Sequence, residues 1–110
     1  MKDVAFVGLL PAENPVRGED GVSILLMVDN RGEAARSLVR FYASDGGPWR
    51  EIFAQEQEFA EKTHVHAYFH LPEGCFAPEA WGGEKPEELS LYAGEAEPGP
   101  GEQGVLLFFA

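Results

Sequence analysis

Between residues 22 and 28 every second position is apolar (Val22, Ile24, Leu26, Val28), and a period of two places all four on one face of a strand. The alternate positions, Ser23, Leu25, Met27 and Asp29, form a second face that is half apolar, so only partial contact with water is expected there. Asn30-Arg31-Gly32-Glu33 follows, and Asn30 and Gly32 tolerate the backbone angles of a turn. A second strand then sets Val39, Phe41 and Ala43 on one side and Leu38, Arg40 and Tyr42 on the other; β-branched and aromatic residues suit such a pleated surface. The rest of the chain is organised around this pair, residues 21–44.

The same reading extends in both directions. Residues 3–10 predict a first strand with Val4 and Phe6 on one face, and the Pro- and Gly-containing residues 11–21 predict a loop. Asp45-Gly46-Gly47-Pro48 is a turn signal. Residues 49–61 are open to two readings: Trp49, Ile52, Phe53, Phe59 and Ala60 fall near helical spacing among good helix formers, while Phe53, Gln55, Gln57 and Phe59 trace a strand. Residues 64–71 alternate without ambiguity, with Val65, Ala67, Phe69 and Leu71 facing His64, His66, Tyr68 and His70. A long Pro- and Gly-rich loop, residues 72–88, precedes a short strand through Leu89, Leu91 and Ala93. The chain ends in Val-Leu-Leu-Phe-Phe-Ala, apolar on both faces. Seven such segments separated by turns predict an all-β sandwich of about seven antiparallel strands, with an α+β fold as the alternative if residues 49–61 are helical.

Val28, Asn30 and Gly32, followed by Val39, Phe41, Tyr42, Asp45 and Gly46, carry a further suggestion. The run of strand, V-x-N-x-G turn and V-x-F-Y-x-x-D-G strand resembles bacterial immunoglobulin-like modules, in particular the cell-adhesion-related domain found in bacteria. Phe69, Leu71 and Pro72 echo a second part of that pattern. The resemblance covers about half of the chain. It implies an immunoglobulin-like β-sandwich acting as an interaction module, and it carries over no catalytic residue.

Composition narrows the function classes. At 110 residues one domain is expected, large enough to fold without a metal or disulfide staple. The single cysteine, Cys75, has no intrachain partner for a disulfide. No signal-like start and no apolar run of about 18 residues is present, so a cytoplasmic location is expected. A net charge of −11, with eight glutamates against the single basic Lys85 in residues 71–110, argues against binding nucleic acid or an anionic membrane.

Three arrangements could carry chemistry. His64 and His66, at i and i+2, could share a zinc ion, whose catalytic sites often use three protein ligands. His70 lies about 13 Å beyond His66 along a regular strand, so a third ligand is sought from Glu56, Glu58 or a loop acid. Phe76 and Trp81, with Tyr92, could form an aromatic platform for a sugar or a proline-rich peptide, or instead plug one end of the sandwich. Cys75 beside a histidine could act as a nucleophile, but its loop has no strand-to-helix elbow, and a small apolar loop residue is the simpler reading.

The commonest signal is apolar side chains on faces that should be wet. Such patches mark partner surfaces, and Leu25, Met27, Tyr42, Tyr92, Leu106 and Phe108 are the expected interface residues. The expectation is therefore a non-catalytic binding or assembly module, self-associating or docked on another protein and without a cofactor. A zinc protein using His64 and His66, and a carbohydrate-binding module using Phe76 and Trp81, are the alternatives.

Overall fold

The computed structural model describes residues 4–11, 21–84 and 86–108. Its strands are β1 (Val4–Pro11), β2 (Val22–Asn30), β3 (Ala35–Ser44), β4 (Arg50–Phe59), β5 (Thr63–Leu71), β6 (Glu88–Gly94) and β7 (Val105–Phe108), with two 3-10 turns, Glu73–Phe76 and Pro78–Trp81, between β5 and β6. Every pairing is antiparallel. One sheet has the order β1-β2-β5 and the other β4-β3-β6-β7. The fold is an all-β sandwich. Most of the loop expected at residues 11–21 lies outside the described residues.

Period-two alternation decides which side chains meet between the sheets. Val22, Ile24, Leu26 and Val28 of β2 and Ala67, Phe69 and Leu71 of β5 are buried against Val39, Phe41 and Ala43 of β3 and Leu89, Leu91 and Ala93 of β6. Phe41 and Phe69 meet edge to face across the gap, with ring centroids 5.1 Å apart. Leu107 contributes from β7.

Residues 50–59 form a strand, so the helical alternative for residues 49–61 is wrong. The open edge of β3 supplies partners for nine of the ten residues, and that pairing overrides the helix preference of Glu, Gln and Ala. The near-helical spacing of Ile52 and Phe53 has a local cause. The register between β3 and β4 shifts at Phe41/Tyr42, leaving Ile52 as an extra residue. Ile52 and Phe53 then both pack against the core although they are adjacent.

After β4 the chain crosses to the other sheet instead of pairing back, through a turn in which Lys62 takes a φ of 46° and its N–H bonds the Gly32 carbonyl at 2.9 Å. Asn30 ties this crossover to the end of β2. Its side-chain oxygen accepts the Gly32 N–H at 3.0 Å, and its amide donates to the carbonyls of Glu33 at 3.0 Å and Ala60 at 2.8 Å. The residue is buried and its polar atoms are satisfied, as burial of an amide requires. At the other end of β2, Gly21 adopts a φ of 88° with its backbone against Leu71, Pro72 and Glu73, leaving no room for a Cβ.

Candidate functional site

The histidine-bearing strand β5 is an edge of the three-stranded sheet, and its register with β2 sets the neighbours of each imidazole. His64 lies opposite Asp29, His66 opposite Met27, Tyr68 opposite Leu25 and His70 opposite Ser23. All four β5 side chains are exposed, Tyr68 at 70%. His64 Nδ1 is 3.9 Å from Asp29 Oδ1, and Asp29 Oδ2 accepts a 2.9 Å hydrogen bond from Arg31 Nε. His70 Nδ1 is 3.4 Å from Ser23 Oγ. The expected third ligands are not brought here. Glu56 and Glu58 stand on β4 in the other sheet, where both face Arg36, at 3.6 Å and 3.2 Å. Among the described residues no group of three or more His, Cys, Asp or Glu side chains gathers in a way that could hold a metal ion.

The outer face of the four-stranded sheet is different in chemistry. Tyr42 of β3 pairs with Tyr92 of β6, Ser90 pairs with Leu106, and Glu88 pairs with Phe108. Leu106 and Phe108 are 49% and 54% exposed, because the intervening Leu107 takes the inward position. Tyr92 is half-buried beside Trp49, ring centroids 6.1 Å apart. Tyr42 is buried; burial first, then the nearby Glu51 carboxylate, raise its hydroxyl above the ordinary tyrosine value, against a smaller lowering by Arg40 and with a lesser rise from Glu97. Arg40 itself bonds Glu51 at 2.9 Å.

The six expected interface residues therefore do not form one patch. Leu25 and Met27 sit half-buried on the outer face of the three-stranded sheet, between β1 and the Tyr68 and His66 side of β5. Tyr42, Tyr92, Leu106 and Phe108 share the outer face of the other sheet, and of these only Leu106 and Phe108 are exposed, each about half of its surface. Tyr68 lies outside these six although, at 70%, it is more exposed than Leu106 or Phe108; its place on the wet face of β5 is the signal the sequence offers. Asn30 looked like an ordinary turn residue, and nothing local marked its bonds to residues 29 and 30 positions further along the chain.

Phe76 and Trp81 are buried in the core, as the reading in which they plug one end of the sandwich requires. The two 3-10 turns fold the loop over the end of the sandwich, and the indole N–H of Trp81 donates to the Cys75 carbonyl at 3.0 Å. The Arg50 guanidinium lies 5.0 Å from the centre of the Trp81 ring and donates to the Ala80 carbonyl at 2.6 Å. Cys75 is half-buried, with its thiol donating to the Ile52 carbonyl at 3.3 Å rather than to an imidazole. Burial pushes that thiol above its ordinary pKa, opposite to what a nucleophile needs.

No helix among the described residues is long and apolar enough to cross a membrane. No family model matches the chain, and no curated protein matches it by sequence. Among solved structures it is similar to the β-D-glucoside glucohydrolase from Trichoderma reesei, with a TM-score of 0.58 at 12% sequence identity. The match covers 97% of this chain and 18% of that enzyme, so the chain spans less than a fifth of its length and the likeness is one of fold.

Proposed function

We propose that this chain is an immunoglobulin-like β-sandwich module that binds another protein and performs no catalysis of its own. The observation that carries the reading is the outer face of the four-stranded sheet, where Leu106 and Phe108 stand about half exposed on the same face as Tyr92, which is itself paired with Trp49. Exposed large apolar side chains clustered on one face mark docking surfaces in soluble domains. The V-x-N-x-G turn at Val28, Asn30 and Gly32 supports the immunoglobulin-like assignment, and a similar fold occurs as a minor part of a larger enzyme. A photo-crosslinking amino acid at Leu106 tests the proposal in extracts of the source organism. The expected result is one discrete protein adduct, reproduced from Ser90 and lost from Gln55. Equal labelling from all three positions, or none, would overturn it.

Zinc binding at His64 and His66 is the second reading, favoured by their shared exposed face and the Asp29 carboxylate 3.9 Å from His64. One zinc per chain retained through exhaustive buffer exchange and lost in His66→Ala would establish it; no retained zinc would remove it.

A further inference from the structure

A strand at the border of a sheet presents unpaired N–H and C=O groups, and folded proteins protect such edges with charge, proline, bulges or short length. The two sheets here have four border strands: β1, β5, β4 and β7. Three carry protection. The register of β1 shifts between Phe6 and Gly8 and the strand ends in Pro11. The β4 strand bears Arg50, Glu51, Glu56 and Glu58 and has its own register shift. The β7 strand has four residues among those described.

The fourth has none of these devices. Residues Thr63–Leu71 run for nine positions in unbroken register with β2 and contain no Pro, Gly, Lys, Arg, Asp or Glu. Among the described residues no backbone hydrogen bond reaches this strand from outside its own sheet except at the preceding turn. In a chain of net charge −11, β5, like β1 and β7 but unlike β4, carries no acidic side chain, and it is the one of these three that is also long and unbroken in register, so a second acidic chain can pair along it without meeting like charge. The neighbouring Asp29 is already ion-paired to Arg31.

We infer that β5 is a self-pairing seam: two copies of this chain join antiparallel along β5, turning two three-stranded sheets into one of six strands. Full overlap puts the two-fold axis at Ala67, the middle of the strand and its smallest side chain. His66 then faces Tyr68 of the second copy twice over, and His64 faces His70 of the second copy. Val65 faces Phe69 of the second copy on the inner side. Wet positions meet wet ones and apolar positions meet apolar ones, which is the self-complementarity an isologous contact needs. This seam is on a different sheet from Leu106 and Phe108 and does not depend on the docking face proposed above.

The test uses charge exchange at the two exposed central positions. His66→Asp/Tyr68→Asp and His66→Lys/Tyr68→Lys are made, each checked by circular dichroism for retained fold, and sedimentation velocity is run from micromolar to millimolar. Wild type is expected to dimerise with concentration. Each variant alone is expected to weaken dimerisation by about tenfold or more, since like charges directly opposite on paired strands repel. Mixing the two variants is expected to restore a dimer containing one of each. A wild type that stays monomeric to millimolar concentration overturns the seam, as does a dimer indifferent to both variants. In the latter case Leu106→Asp/Phe108→Asp shows whether the dimer uses the other face.

Discussion

The outer face of β5 and the loop that follows it are neighbours in sequence and opposites in fate. Tyr68 is 70% exposed, whereas Phe76 and Trp81, in the loop that follows, are 0% and 7% exposed. Both stretches combine aromatic rings with reactive groups, imidazoles in one and a thiol in the other. In β5 the backbone is regular, so the period of two sorts each ring to the core or to water. In the loop no period operates, and exposure is decided by 3-10 turns that fold the rings back over the end of the sandwich. The presence of a ring is therefore a poor guide to its availability unless the backbone around it is known.

The sharpest test of that contrast is removal of the closing ring. Trp81→Ala is expected to cost about 3–5 kcal/mol of stability, as loss of a buried aromatic does, measured by urea unfolding. A loss under about 1 kcal/mol would mean that the loop is loosely seated and that its rings are open to a ligand after all. Asn30→Ala comes next, at the far end of β2, where the closed site is polar. Removing the amide leaves its partly buried backbone partners without their side-chain bonds, and a loss of about 1–3 kcal/mol is expected by the same measurement.

A smaller effect separates Tyr42 from exposed tyrosine. Its folded-state pKa is raised above 10.0, so its contribution to stability is fully present below that pH and is lost as pH climbs through the higher folded value. The thermal midpoint of wild type is expected to fall above about pH 10, and that of Tyr42→Phe to fall less over the same range. Identical alkaline profiles would show the hydroxyl to be wet. Smallest of all is Tyr68→Ala in the monomer at low concentration, expected to change stability by no more than about 0.5 kcal/mol. A larger loss would place that ring in a packed position and dissolve the contrast with the loop.

The legible parts of the fold were those in which local pattern and tertiary environment agree. Val22, Ile24, Leu26 and Val28 alternate because β2 is the middle strand of its sheet and sees the core on one side throughout. Asn30 and Gly32 announced their turn through side-chain and backbone geometry that needs no distant partner. Residues 50–59 stayed ambiguous because they form a border strand with a bulge, where exposed Ala54, Gln55 and Glu56 carry no alternation to read. The expected interface residues fall on two faces because sequence does not disclose that β2 and β3, though consecutive and read together as a pair, belong to different sheets. The histidine face was legible as a face, but the acids that accompany it depended on strand order, which put Asp29 beside His64 and kept Glu56 and Glu58 away.

The thiol of Cys75 turns the closed loop into a clock. It is held to the Ile52 carbonyl, and its pKa is pushed up by burial, so it reacts slowly while the loop is seated. Each excursion that frees the loop exposes a more acidic, faster-reacting sulfur. The rate at which a disulfide reagent modifies this one cysteine therefore counts how often the end of the sandwich opens, without any label having to be introduced.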